Sequence, residues 1–511
     1  MEKTFLLVFL IAAFSFTGSR AQNKADEKPK TDISHLEKSE GLRLPPDTVV
    51  VTDHEAAING QHFTYTATAG TQPVWDKDGK VIASLFYVYY QRNDVKDRED
   101  RPLLISFNGG PGTGSVWQDI GFTGPVRLKV SDEGYPVQPY GVTANPYSIL
   151  DIADIVYVNP VNCGFSRILD PKADHGVFFG VNADIKYLSD WISTFVSREG
   201  RWRSPKFLLG ESYGTTRVSG MADALQNAEW MYLDGVILVS PTDLGIKRDG
   251  PVNEALNLPY YAATAWYHKA LSPDLQQKDL ADILPQVEKY TINDYIPVLA
   301  RGGSLSVQDK EKAAEMISKY SGLPEKHILQ HNLIIPPSFF WKDLLRDSGY
   351  TVGRLDSRYL GEDEENAGTH PDYNAELTSW LDAFTPAINY YLRDVLNFKT
   401  DLKYNMFGPV FPWDDKDNYT GEQLRSAMLS NPALHLLVMS GYYDGACEYF
   451  NAKYSMWQID SNGKLKNRME WKGYRSGHMM YLRKDDLKKA SEDLRNFIES
   501  SIPPKGQAIR Y

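Results

Sequence analysis

The stretch Gly210-Glu211-Ser212-Tyr213-Gly214 constrains the chain more than any other. It fits G-x-S-x-G, a pattern with mechanical meaning in one setting. Where a strand ends just before it and a helix begins just after, the turn is so tight that the serine takes a strained backbone conformation. Its hydroxyl then stands clear of the sheet. Glycines are needed on both flanks because a Cβ there would strike the neighbouring backbone. The five residues alone are a common match, so the surrounding sequence has to supply the setting.

It does so over most of the chain. FTYTATAG (63–70) alternates in polarity, and Asp78-Gly79 gives a hairpin turn before VIASLFYVYY (81–90). After RPLLISFN (101–108) short apolar runs recur with amphipathic stretches between them. They are IADIVYVN (152–159), PKFLLG (205–210), LDGVILVSP (233–241) and LHLLVMSG (434–441), and a further strand, RMEWKGY (468–474), precedes the last helix. Buried runs that alternate with helices predict an α/β fold, a doubly wound and mostly parallel sheet. Ser212 falls between one such strand and a helix, which is the required setting. From about Leu244 to Lys403 the strand rhythm stops and the pattern is helical. The expected layout is a core over 46–245, a helical cap insertion over 246–404 and a second core part over 405–511. The charged segment 93–100 and the acidic segment 361–372 are read as solvated loops, the latter lacking the spacing of a Ca²⁺ loop.

Length and composition fit that layout. The 511 residues, 42% hydrophobic and 24% charged, exceed one ordinary core but can bury a large one. A net charge of −11 without a basic stripe argues against nucleic-acid binding. The N-terminus has the features of an export signal over 1–21. Lys3 is followed by a 12-residue apolar run, Phe5 to Phe16, and by small residues at Ser19 and Ala21. Residues 22–45 read as a flexible leader. The expectation is a periplasmic or secreted protein that is not membrane-bound once the signal is cleaved. The two cysteines, Cys163 and Cys447, provide no disulfide framework, and their pairing is left open. The metal motifs C-x-x-C and H-E-x-x-H are absent, so neither a metal nor another cofactor is expected.

A serine nucleophile needs a base and a group to orient it. In doubly wound hydrolases these follow in the order Ser, acid, His, on loops at the carboxyl edge of the sheet. Of the ten histidines only His478 follows the last predicted strand, with Gly477 to turn the loop. Asp444, just past LHLLVMSG, is the preferred acid, and Asp243, one strand earlier, is its rival. An oxyanion hole would use the N–H of Tyr213, next to the nucleophile, and one from the glycine-rich loop Asn108-Gly109-Gly110-Pro111-Gly112.

FNGGPG (107–112), NPYS (145–148), NPVNCGFS (159–166), GESYG (210–214), Asp444 with Cys447, and GHM (477–479) resemble the successive motifs of the serine carboxypeptidase family, in that family's order. The resemblance implies an α/β-hydrolase core with a helical insertion after the sixth strand. It implies Ser212 as nucleophile, His478 as base, Asp444 as orienting acid, and the Gly110 and Tyr213 N–H groups as the oxyanion hole. Asn108, Glu211 and Met479 would contact a peptide substrate, and Cys447 matches the family's free thiol. The family holds the substrate's terminal carboxylate with a Trp, an Asn and two Glu. Here Ser106 stands at the Trp position and Phe122 at that of the second Glu, while Thr113 replaces the first cysteine of the glycine-rich motif. Three functional readings follow: a carboxypeptidase, an esterase or acyltransferase using the same triad, and a binding protein without turnover.

Overall fold

The computed structural model describes residues 43–170 and 172–510. The expected signal, and the leader up to residue 42, lie outside the described residues. Nine strands carry the fold: β1 Thr48–Ile58, β2 Gln61–Trp75, β3 Val81–Arg92, β4 Leu103–Phe107, β5 Asp154–Val158, β6 Lys206–Glu211, β7 Gly235–Val239, β8 His435–Gly441 and β9 Met469–Tyr474. They form one sheet in the order β1-β2-β3-β5-β4-β6-β7-β8-β9, with the two-residue strand Arg167–Ile168 added on β3. From β5 to β9 all neighbours are parallel, whereas the pairs β1–β2, β2–β3 and β3–β5 are antiparallel.

Strands β4 to β8 are buried on both faces, and the period of two sorts their side chains into two layers. Leu104, Ile155, Leu209, Ile237 and Leu437 point into one layer. Ile105, Val156, Leu208, Leu238 and Val438 point into the other. Helix α1 (Val181–Arg198) and helix α2 (Tyr213–Asn227) close the second layer through Trp191, Phe195, Val218 and Met221. The first layer is closed by α7 (Lys484–Ser501), through Leu487, Leu494 and Phe497, and by α6 (Ala375–Tyr390), through Trp380 and Phe384.

The helical stretch expected over 246–404 therefore has two parts. Helices α3 (Leu258–Tyr267), α4 (Leu280–Tyr290) and α5 (Val307–Ser321) share their own apolar cluster with Phe339 and Phe340. Helix α6 instead packs on the main core. The acidic segment 361–372 is not wholly solvated, since Asp363 forms a buried ion pair with Lys342 at 2.5 Å. Strand β1 has no counterpart in the sequence reading. Its Val49 and Val51 are exposed, so its pattern lacks the apolar face that marks a strand. Among the described residues no helix is long and apolar enough to cross a membrane.

Candidate active site

Parallel strands bring their carboxyl ends to one edge, and four loops there carry the chemistry. Ser212 lies between β6 and α2 with φ 58° and ψ −129°, a region non-glycine residues rarely occupy. Three contacts hold the turn. Ser212 N–H donates to Val239 O at 3.0 Å, and the Ser212 carbonyl accepts from Thr215 N at 2.9 Å and Thr215 Oγ1 at 2.6 Å. A Cβ on Gly210 would lie 2.1 Å from Gly214 O, and one on Gly214 would lie 2.8 Å from Phe107 O. Both flanking glycines are thus required by close backbone approach.

The loop after β4 packs against this turn. A Cβ on Gly109 would lie 2.5 Å from Tyr213 N, so no side chain fits between the two backbones. Tyr213 is the first residue of α2, and its N–H is one of the first-turn donors that no helical carbonyl can reach. The Gly110 N–H also has no acceptor among the described residues. Two backbone donors are therefore free beside the serine, which is the equipment for stabilising a developing oxyanion.

Beyond β8, Asp444 is fully buried. One carboxylate oxygen accepts from Ala446 N at 2.9 Å and Cys447 N at 3.0 Å; the other meets His478 Nδ1 at 2.7 Å. Burial works against the imidazolium, but the Asp444 charge and hydrogen bond outweigh it and hold the His478 pKa well above its ordinary value. The rival acid, Asp243, is half exposed, caps its own loop through Gly245 N and lies near Arg248. The loop after β7 ties His478 to the Ser212 turn. Val239 O takes the Ser212 N–H, while the adjacent Ser240 Oγ donates to His478 O at 2.8 Å. The Cys447 thiol lies beside the imidazole, and burial pushes its pKa up. Asp444, Cys447 and His478 are the one group among the described residues whose ligand atoms could converge on an ion, all within 4.8 Å of one another. The N–H donors on Asp444 account for its oxygens without one. Both cysteines are free, and Cys163 is fully buried with its thiol pushed up to about 12 by burial.

Glu211 points from the end of β6 into a polar cluster. Its Oε2 accepts from Asn108 Nδ2 at 3.1 Å, Tyr481 OH at 2.8 Å and Gln118 Nε2. Burial raises its pKa to about 7 against the lowering effect of His478 and these donors. Phe122 stacks on the Tyr481 ring with centroids 4.9 Å apart and planes 5° from parallel. Ser106 is buried within β4. The place of a second carboxyl is thus taken by an aromatic stack, with an amide reaching Glu211 from four residues earlier. Met479 is buried in the apolar layer beneath the loop.

Sequence reasoning missed Gln118 and Tyr481, which lie in no motif. Gln118 could have been found from its spacing, one helical turn before Phe122. It also missed the segment 351–361, which grips the loops that carry Asp444 and His478. Leu355 O accepts the His478 N–H at 2.7 Å, Tyr443 O accepts from Ser357 N at 2.9 Å, and Arg354 O accepts from Gly445 N at 2.9 Å. Arg358, in a buried pair with Asp356 at 2.6 Å, donates to Ser476 Oγ at 3.0 Å. From α6, the buried Glu376 accepts the Leu355 N–H at 2.8 Å. Glu376→Ala would strand that donor and is expected to cost about 2 kcal/mol, while Glu376→Gln keeps an acceptor and should cost less. Denaturant midpoints of the two variants measure the difference.

The sheet order, the strained serine between strand and helix, and the Asp–His pair at the same edge define an α/β-hydrolase fold. The model of the serine carboxypeptidase family matches residues 69–488, and the chain belongs to that family. Serine carboxypeptidase S10 family member 2 of Dictyostelium discoideum is 25% identical over 217 residues, 41% of this chain and 36% of its own. Serine carboxypeptidase-like 16 of Arabidopsis thaliana is 28% identical over 180 residues, 34% of this chain and 40% of its own. The matched stretch thus spans well under half the length of these relatives. Among solved structures, the prohormone-processing carboxypeptidase Kex1Δp from Saccharomyces cerevisiae superposes with a TM-score of 0.53 at 15% identity, covering 85% of this chain and 91% of that one. It supports the fold alone.

Proposed function

We propose that this protein is an exported serine carboxypeptidase that removes C-terminal residues from peptides through an acyl-enzyme on Ser212. The observation that carries the reading is the His478–Asp444 hydrogen bond of 2.7 Å, at the sheet edge where Ser212 is held in its strained turn. His478 Nε2 takes the Ser212 hydroxyl proton as Oγ bonds to the scissile carbonyl carbon. Asp444 fixes the proton on Nδ1 and stabilises the imidazolium. The oxyanion is met by the N–H groups of Gly110 and Tyr213. The C–N bond then breaks as the imidazolium protonates the leaving amine, and a water repeats the sequence to release the acid. Asn108 donates to the terminal carboxylate, and a protonated Glu211 adds a second donor. Export rests on the apolar run from Phe5 to Phe16.

One observation favours a second reading, an esterase or acyltransferase. Phe122 and Gln118 leave Glu211 as the one carboxyl of the cluster. Product analysis on one peptide with a free C-terminus, on its C-terminal amide and on a simple ester separates the two. The carboxypeptidase reading expects loss of single C-terminal residues, with the free acid preferred over the amide by at least about tenfold, the scale of one charge-assisted hydrogen bond. Equal turnover of acid and amide, with the ester faster than both, favours the second reading.

A further inference from the structure

An oxyanion donor works only if it is already aimed where the charge will develop, because reorientation during the reaction would cost what it contributes. The Gly110 N–H belongs to the Gly109–Gly110 peptide, which is planar and trans, so its N–H and C=O point in opposite directions. Whatever holds the Gly109 carbonyl therefore aims the Gly110 N–H. The loop cannot aim itself, since Gly110 has φ +108° and its neighbours are glycine and proline.

The Gly109 carbonyl accepts two hydrogen bonds from one residue, Thr113 N at 3.0 Å and Thr113 Oγ1 at 2.7 Å. Thr113 is 6% exposed, so neither donor is readily replaced by solvent. The neighbouring carbonyls are fixed as well. Arg217 Nη1 donates to Asn108 O at 2.6 Å and Nη2 to Pro111 O at 3.3 Å, while Gly408 N donates to Gly112 O at 2.7 Å. Arg217 is wholly buried and is oriented by Asp184, its Nε lying 2.6 Å from Oδ2, and Asp184 also accepts from Tyr187 OH at 3.1 Å. The loop's carbonyls are thus held by Arg217 of α2, by Gly408 and by Thr113, while the Gly110 N–H has no acceptor among the described residues and the adjoining Gly109 abuts the Tyr213 N–H beside Ser212.

We propose that Thr113 is a positioning residue for the oxyanion hole: its hydroxyl and N–H lock the Gly109 carbonyl, and so aim the Gly110 N–H at the substrate oxygen. This rests on the reading of Ser212 as nucleophile and of Gly110 as oxyanion donor. The hydroxyl acts on the transition state more than on bound substrate, because charge on the carbonyl oxygen grows only as the tetrahedral adduct forms.

The test compares Thr113→Val, which keeps the shape and loses the hydroxyl, with Thr113→Ser, which keeps it. With a 4-nitrophenyl ester as substrate, Thr113→Val is expected to lower kcat about tenfold and to change KM less than about twofold. Thr113→Ser should restore most of the rate, and the thermal midpoints should stay close to that of the parent. Should the valine variant fail to fold, Thr113→Ala against Thr113→Ser provides the same contrast. Equal kcat in the valine, serine and parent proteins, with Ser212→Ala inactive, overturns the inference and leaves the nucleophile in place. An active Ser212→Ala overturns both. A fall in midpoint with kcat unchanged at a temperature where all variants are folded assigns Thr113 to packing and also overturns it.

Discussion

Asp444→Asn is expected to lower kcat by about four orders of magnitude while leaving the fold intact. The side chain keeps its shape, and the site is fully buried, so packing is conserved. What changes is the proton on His478. The carboxylate oxygen 2.7 Å from Nδ1 accepts from it in the parent. The other oxygen is engaged by Ala446 N and Cys447 N, so an asparagine must place its carbonyl there and turn its NH₂ toward the imidazole. Nδ1 then has to accept, the proton moves to Nε2, and the ring faces Ser212 as a donor instead of a base. The loss of the negative charge also removes what holds the His478 pKa up, so the imidazolium formed during attack is no longer stabilised. Asp243→Asn, at the exposed site after β7, should leave kcat within about twofold. Steady-state rates with one ester substrate, alongside near-ultraviolet circular dichroism for folding, decide the matter. If the two variants exchange these outcomes, the orienting acid is Asp243.

The parts of this site legible in sequence are those whose signal is local. G-x-S-x-G reads because its glycines are demanded by contacts within a few residues, as at Gly210 against Gly214. The buried strands β4 to β8 read because a strand covered on both faces must be apolar throughout. Asp444 and His478 read through their positions just past such strands, since a parallel sheet sends every such loop to one edge. The rest depends on partners far away in the chain. Gln118 reaches Glu211 across 93 positions, and Leu355 holds the His478 N–H from within the insertion, where no motif marks it. Helix α6 looked like part of the cap because its sequence is helical; only packing shows Trp380 and Phe384 in the main core. Strand β1 was hidden because an edge strand with exposed valines on one side and Asp53 and Glu55 along it carries no clean alternation.

Substrate choice should depend on pH through Glu211, with an effect of up to about a hundredfold. Burial raises this carboxyl to about 7, so it is protonated below that pH and ionised above it. A peptide's terminal carboxyl, with an ordinary pKa of about 3.5, is ionised across the whole range from pH 5 to 9. Below pH 7 the neutral Glu211 can donate to that carboxylate together with Asn108. Above pH 7 two negative charges would share a buried pocket, and a substrate that binds the protonated form alone loses about tenfold in affinity per pH unit. A C-terminal amide carries no charge and escapes the penalty. The ratio of kcat/KM for the free acid to that for the amide should therefore be flat from pH 5 to about 7 and then fall by about a hundredfold by pH 9. The ratio cancels the titration of His478, which is common to both substrates. Glu211→Gln keeps a neutral donor at every pH and should flatten the ratio throughout. A ratio that stays constant in the parent from pH 5 to 9 would mean that Glu211 does not face the substrate's terminus, and the leaving group must then be recognised elsewhere in the cleft.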